Sequence, residues 1–268
     1  MKKREQKEWI QNNKKKWISM GVGLTLLVLG IVLTLVTRAG ALAEGAEGSA
    51  KIPFALGLIM ILVGIVIPVV AMLPERKPTD VRTLSMAALF AALCYIGFSY
   101  CKIDIPVGME KTAFHLGNVF CVLAALFLGG FWGGMSGAVG MTIADLTTAY
   151  VTSAPKTFLL KLCIGLISGF VAHKIFHISQ DKERKIPLTA ATAISCAAGM
   201  AFNIVADPVV GYFYKMYVLG VPQEAATIRA KMGAITTSVN AVVAVIAATI
   251  LYMALRKAMK RTNLLPKL

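Results

Sequence analysis

The chain has 268 residues, 57% of them hydrophobic and 15% charged, with a net charge of +15 and a mean hydropathy of +0.72. A soluble domain runs at about 45–50% apolar and about 25% charged, so a soluble globular protein is excluded. The positive charge would point to nucleic acid in a soluble protein. Here it lies in clusters between long apolar runs, where the cytoplasmic bias of Lys and Arg in membrane proteins accounts for it without a nucleic-acid partner.

Eight apolar runs follow one another at 17–37, 53–73, 82–100, 114–129, 131–150, 156–176, 187–214 and 231–255. A run of about 20 apolar residues matches the hydrocarbon thickness of a bilayer. No period-two alternation of the barrel type is present, and helices satisfy their own backbone groups in lipid. The expected fold is therefore all-α: a polytopic membrane protein with a six-helix core preceded by a two-helix transmembrane hairpin, eight spans in total. The hairpin occupies 1–74 and the core 75–268, with Pro74-Glu75-Arg76-Lys77-Pro78 between them. The fourth and fifth runs meet at Gly129-Gly130, where Gly-Gly-Phe-Trp-Gly-Gly interrupts a stretch too long for one straight span.

Charge orients these spans. With the N-terminus inside, the inner segments 1–16, 74–82, 173–186 and 256–268 carry 7, 3, 4 and 5 Lys and Arg, nineteen of the 28. The other nine are Arg38, Lys51, Lys102, Lys111, Lys156, Lys161, Lys215, Arg229 and Lys231, all at outer loops or outer span ends. The asymmetry predicts both termini on the cytoplasmic side of a cell membrane. Lys14-Lys15-Lys16, the first run and Ala41-Leu42-Ala43 also resemble a signal peptide. The run of about 20 residues exceeds the usual h-region of about 7–15, which favours an uncleaved helix.

The five cysteines form no CxxC pair, and no metal-ligand spacing occurs, so neither a metal nor a cofactor is expected. No P-loop is present. Gly134-Met135-Ser136-Gly137 matches the GxSG of rhomboid-type intramembrane proteases, but His115 stands at the outer end of its span whereas Ser136 lies near the cytoplasmic end, and of the two histidines at that end His173 runs straight into Lys174 and a charged loop, so no enzyme activity is expected.

Ionisable and amide groups within spans are costly and mark function or helix pairing. The core holds Asp145, Lys161 and Asp207, with Asn118, Asn203 and Asn240. The predicted topology brings all six to the outer half of the bilayer on five helices. That arrangement predicts a pocket open to the outside above an apolar floor, with these six as candidate substrate-binding residues. Structural pairing, Asp145 or Asp207 with Lys161, is the alternative. In the third run, Ala87, Ala88, Ala91 and Ala92 set up two overlapping A-xxx-A spacings, a stripe suited to internal packing or to a partner subunit.

The core resembles the S component of an energy-coupling factor (ECF) vitamin transporter, closest to the ECF-type riboflavin-transporter group. Three stretches carry the resemblance: the alanine-rich helix Leu84–Leu93; His115-Leu116-Gly117-Asn118 through Leu128-Gly129-Gly130 with the Gly-rich helix ending Ala144-Asp145-Leu146; and Ala154-Pro155-Lys156-Thr157-Phe158-Leu159-Leu160-Lys161. The resemblance implies a subunit that binds a water-soluble vitamin from outside and docks on a transmembrane T component driven by two ATPases. The docking stripe would be Ala87, Ala88, Ala91 and Ala92, and the Lys102–Ala113 loop would act as a lid. Riboflavin is the first expected ligand, with Phe202, Tyr212 and Tyr150 as aromatic wall candidates. Departing from the family, the first 74 residues are extra. Two other functions fit the residues: an ion- or proton-coupled carrier using Asp145, Lys161 and Asp207 as a relay, and a non-transporting membrane assembly protein.

Overall fold

A computed structural model describes residues 2–41, nine positions between 53 and 67, and 80–107, 110–179 and 186–262. The chain divides into two units, Met1–Pro78 with Tyr217–Gly220, and Thr79–Met216 with Val221–Leu268.

In the first unit, α1 (Lys2–Ala41) carries the apolar stretch Trp17–Thr37. The described positions between 53 and 67 are helical and run antiparallel to α1: Gly57 lies opposite Thr34, and Gly64 opposite Leu27. The contact is made backbone to backbone, since a methyl group on Gly30 would come within 2.7 Å of Ile61 N. Thr34 is fully buried there and returns its hydroxyl to Gly30 O at 2.7 Å.

The second unit begins with α2 (Val81–Ser99), capped by the Asp80 carboxylate on Arg82 N–H. A two-stranded antiparallel hairpin follows, β1 (Lys102–Val107) and β2 (Glu110–His115), with Ile105 paired to Thr112 and Asp104 to Ala113. This hairpin is an exception, among the described residues, to a mostly helical fold: Ile103, Ile105 and Val107 alternate with polar residues and Pro106, a strand pattern too short to register beside runs of 20. Pro106 is tolerated because both strands are edges.

The next element, α3 (Gly117–Thr147), reverses on itself at Gly129, whose φ of 82° and ψ of 170° belong to a region open essentially to glycine alone. Its halves, 117–128 and 130–147, are antiparallel: a methyl on Gly133 would strike Ala125, and one on Gly137 would strike Cys121. α4 (Ala154–Phe170), with Pro155 in its first turn, widens into a π turn at Val171–Ile175. α5 (Leu188–Phe213) contains Pro208, which leaves the carbonyl of Ile204 without its helical donor. α6 (Gln223–Arg261) opens with Glu224 and closes with Lys260 and Arg261, matching the helix dipole.

Among the described residues six helices are long and apolar enough to cross a membrane: Trp17–Thr37, Val81–Ser99, Gly117–Thr147, Val151–Ile175, Leu188–Val218 and Gln223–Arg261. The expected eight spans are therefore not all represented. The fourth and fifth are the two antiparallel halves of α3, joined by the reversal at Gly129, and the second, 53–73, falls largely outside the described residues. α3 is the most buried of the six. Large apolar residues point outward elsewhere: Ile235, Val239, Val242, Ile246 and Ile250 form a stripe down α6 that would be an aggregation surface in water and is a lipid-facing one in a bilayer.

Glycine sets the helix spacing in this unit. A methyl on Gly165 would strike Gly134, and one on Gly169 would strike Gly130, so α4 lies on the second half of α3 at backbone contact. α2 meets the same half of α3 from another side. Ser136 Oγ lies 2.9 Å from Ala87 O and 2.8 Å from Trp132 O, and a methyl on Gly140 would strike Ala91 O. The GxSG serine thus serves as a clasp between helices. His173 is engaged elsewhere, with Ala125 O at 3.0 Å.

Candidate functional site

The second unit holds a cavity of about 900 Å³, its open mouth included, lined from α2, β2, α3, α4, α5 and α6. Asn118, Asp145, Lys161, Asn203, Asp207 and Asn240 all lie on its wall. Each is supplied by a separate helix or helix half, apart from Asn203 and Asp207, which lie one turn apart on α5. Five of the six are buried to 7% exposure or less in the range 1–7%.

Their partners differ from the pairs expected. Asp207 does not pair with Lys161. Its Oδ1 accepts from Lys156 Nζ at 2.8 Å and its Oδ2 from Thr237 Oγ1 at 3.0 Å, so both carboxylate oxygens are engaged. Lys156 reaches Asp207 because it sits in the first turn of α4, just after Pro155. Asp145 is hydrogen-bonded by Thr157, while its Oδ2 is buried without a partner. Lys161, 7% exposed, forms no ion pair with any described carboxylate. Asn118 Oδ1 and Asn203 Oδ1 are also buried and unpartnered. Buried polar atoms are normally hydrogen-bonded, and these three unpartnered oxygens belong to residues on one cavity wall.

Asn240 is occupied. Its Oδ1 accepts from His115 N–H at 3.0 Å and its Nδ2 donates to Ala113 O at 3.0 Å. The carboxamide thus takes the place of a third strand against β2. Beside it, the hydroxyls of Thr112 and Thr236 meet at 2.9 Å. The Lys102–Ala113 loop expected as a lid is therefore a hairpin fastened along α6.

Several wall residues were not among the candidate binding residues of the sequence: Lys156, Thr157, Thr236, Thr237, His115 and Phe98. Of the aromatic candidates only Tyr150 lines the cavity; Phe202 and Tyr212 do not. Phe98 supplies the second ring, 5.6 Å from Tyr150 and 4.6 Å from the His115 imidazole. Tyr150 donates to Asp104 Oδ1 at 2.9 Å and has Lys102 Nζ 5.1 Å above its ring, tying β1 to the wall. Burial and Asp104 hold the Tyr150 phenol above its ordinary range, so it remains a donor. Burial, aided by the charge of Lys161, pushes the His115 imidazole down to about 3, so it is neutral at physiological pH.

The alanine stripe divides. Ala87 is buried and Ala91 half-buried against α3, whereas Ala88 and Ala92 are exposed beside Leu84, Leu89 and Ile96. Successive helical residues are about 100° apart, so the two A-xxx-A pairs face different directions. Of the four residues of the expected docking stripe, Ala88 and Ala92 are exposed, while Ala87 and Ala91 pack against α3.

A family model described as the ECF-type riboflavin transporter, S component, matches residues 79–257, more than half of the chain. The chain belongs to this family. No curated protein matches the chain, and no solved structure does. The match begins one residue before the Asp80 cap of α2 and ends within α6, so it spans the whole cavity and leaves the first unit's helices outside. The family is one of transporter components and not an enzyme family. A polar cavity inside an apolar bundle is the feature such a subunit requires.

Proposed function

We propose that this chain binds a water-soluble vitamin or vitamin precursor from outside the cell and delivers it to an energy-coupling module of one transmembrane T component and two ATPases. The observation that carries the reading is the convergence of Asn118, Asp145, Lys161, Asn203 and Asp207 on one cavity, with three buried oxygens left for a ligand to satisfy. The protein resides in a cell membrane with both termini cytoplasmic, which the basic inner segments support. The cavity opens outward and the β1–β2 hairpin borders its mouth. Docking uses the exposed face of α2 around Ala88 and Ala92, and 1–74 is an accessory membrane element.

Riboflavin is the first ligand to test, with Phe98 and Tyr150 as the flat walls it would need. The deciding experiment is a panel of B vitamins and precursors on the purified chain alone, read by thermal shift and calorimetry. One ligand with sub-micromolar affinity should raise the melting temperature without any partner protein. Uptake in vesicles should then require ATP and the T component. Uptake driven by an ion gradient alone would instead favour a secondary carrier.

A further inference from the structure

Of the nine Lys and Arg that the topology assigns to the outer side, five line this one cavity: Lys111, Lys156, Lys161, Lys215 and Arg229. Outer segments are the ones in which Lys and Arg are normally sparse, so their collection around a single opening calls for a cause other than topology. Among the described lining residues two carboxylates, Asp145 and Asp207, share the wall with these five cations. Asp207 is already neutralised by Lys156 at 2.8 Å. Asp145, held by Thr157, forms no ion pair within the wall. Lys161 lies at the buried end with its charge uncompensated by any ion pair. A charge removed from water needs an opposite charge or a set of hydrogen bonds. A mouth lined with one sign also concentrates solutes of the other.

We propose that the ligand is an anion, a small molecule bearing a carboxylate or phosphate group that pairs with Lys161, with hydrogen-bond donors for Asp145 Oδ2 and the Asn118 and Asn203 carbonyls. This deepens the vitamin-binding reading and rests on it. It separates the chain from a subunit built for a neutral ligand such as riboflavin itself.

Matched pairs differing in charge test it on the full chain in lipid nanodiscs by calorimetry: riboflavin with riboflavin 5′-phosphate, pyridoxine with pyridoxine 5′-phosphate, and pantothenol with pantothenate. The charged member of at least one pair should bind about tenfold or more tightly than its neutral partner, the scale of one charge-assisted hydrogen bond. The phosphate and carboxylate pairs distinguish the two sources of charge. Lys161→Gln should abolish most of that preference, bringing the charged member's affinity down toward that of its neutral partner. The wild-type comparison needs no variant and decides the matter even if Lys161→Gln fails to fold. Neutral members that bind as tightly as the charged ones would overturn the anionic preference and leave vitamin binding standing. No binding by any pair would overturn the vitamin reading and the preference with it.

Discussion

Lys156 and Asp207 form an ion pair across 51 positions of sequence, from the first turn of α4 to the turn before Pro208 in α5, at 2.8 Å and with side-chain exposures of 13% and 23%. Removing one partner of a largely buried pair leaves the other charge without compensation, at a cost of about 3 kcal/mol. Lys156→Met should therefore lower the melting temperature of the ligand-free protein. Asp207→Asn in the same chain should recover part of the loss, and the double-mutant cycle measures the coupling. Additive losses would mean that Lys161, also within electrostatic reach of Asp207, already supplies the compensation.

Asn240→Ala removes both bonds to β2 and should release the hairpin from α6. Two neutral hydrogen bonds contribute about 1 kcal/mol each, so the fold should survive. Hydrogen exchange at 110–115 should quicken and ligand should dissociate faster. Unchanged exchange would assign the hairpin's position to the Tyr150–Asp104 bond instead.

The two faces of α2 should separate in a transport assay. Ala88→Trp or Ala92→Trp should abolish ATP-dependent uptake and leave ligand affinity unchanged. Ala87→Leu forces extra volume against α3 and should destabilise the protein itself by about 1–3 kcal/mol. Wild-type uptake in both tryptophan variants would move the docking face elsewhere.

His115 makes stability depend on pH. Its folded imidazole titrates at about 3, whereas an unfolded one takes up a proton near pH 6.5. Between those values the unfolded chain binds more protons, so stability falls as pH is lowered through the window. The melting temperature should drop from pH 7 to pH 5, and His115→Gln should reduce the drop. An identical slope in the variant would assign the effect to other groups.

The cost of ionisable and amide groups in lipid made Asn118, Asp145, Lys161, Asn203, Asp207 and Asn240 conspicuous in the sequence, and they share one cavity wall. What each of them touches was not legible. Asn240 is spent on the backbone of β2, a partner about 125 positions away. Thr157, Thr236 and Thr237 passed unnoticed because a helical threonine can satisfy its hydroxyl on its own preceding turn, so it carries no sign of a distant partner. Lys156 was grouped with the loop cations, since nothing local distinguishes a solvated lysine from one that turns inward. The alanine spacing disclosed close packing on α2 but not its direction, because the two pairs are one residue apart.

The glycine seam between α3 and α4 has a consequence for how this protein can change over generations. Gly130, Gly134, Gly165 and Gly169 already meet at backbone contact, and no smaller residue exists. Every substitution there adds atoms and forces the helices apart, so drift at these positions has only one direction, and no second mutation across the seam can make room. Adaptation to a new solute must therefore proceed through the cavity wall and the lipid-facing surface, with the seam as the fixed axis around which the rest is free to vary.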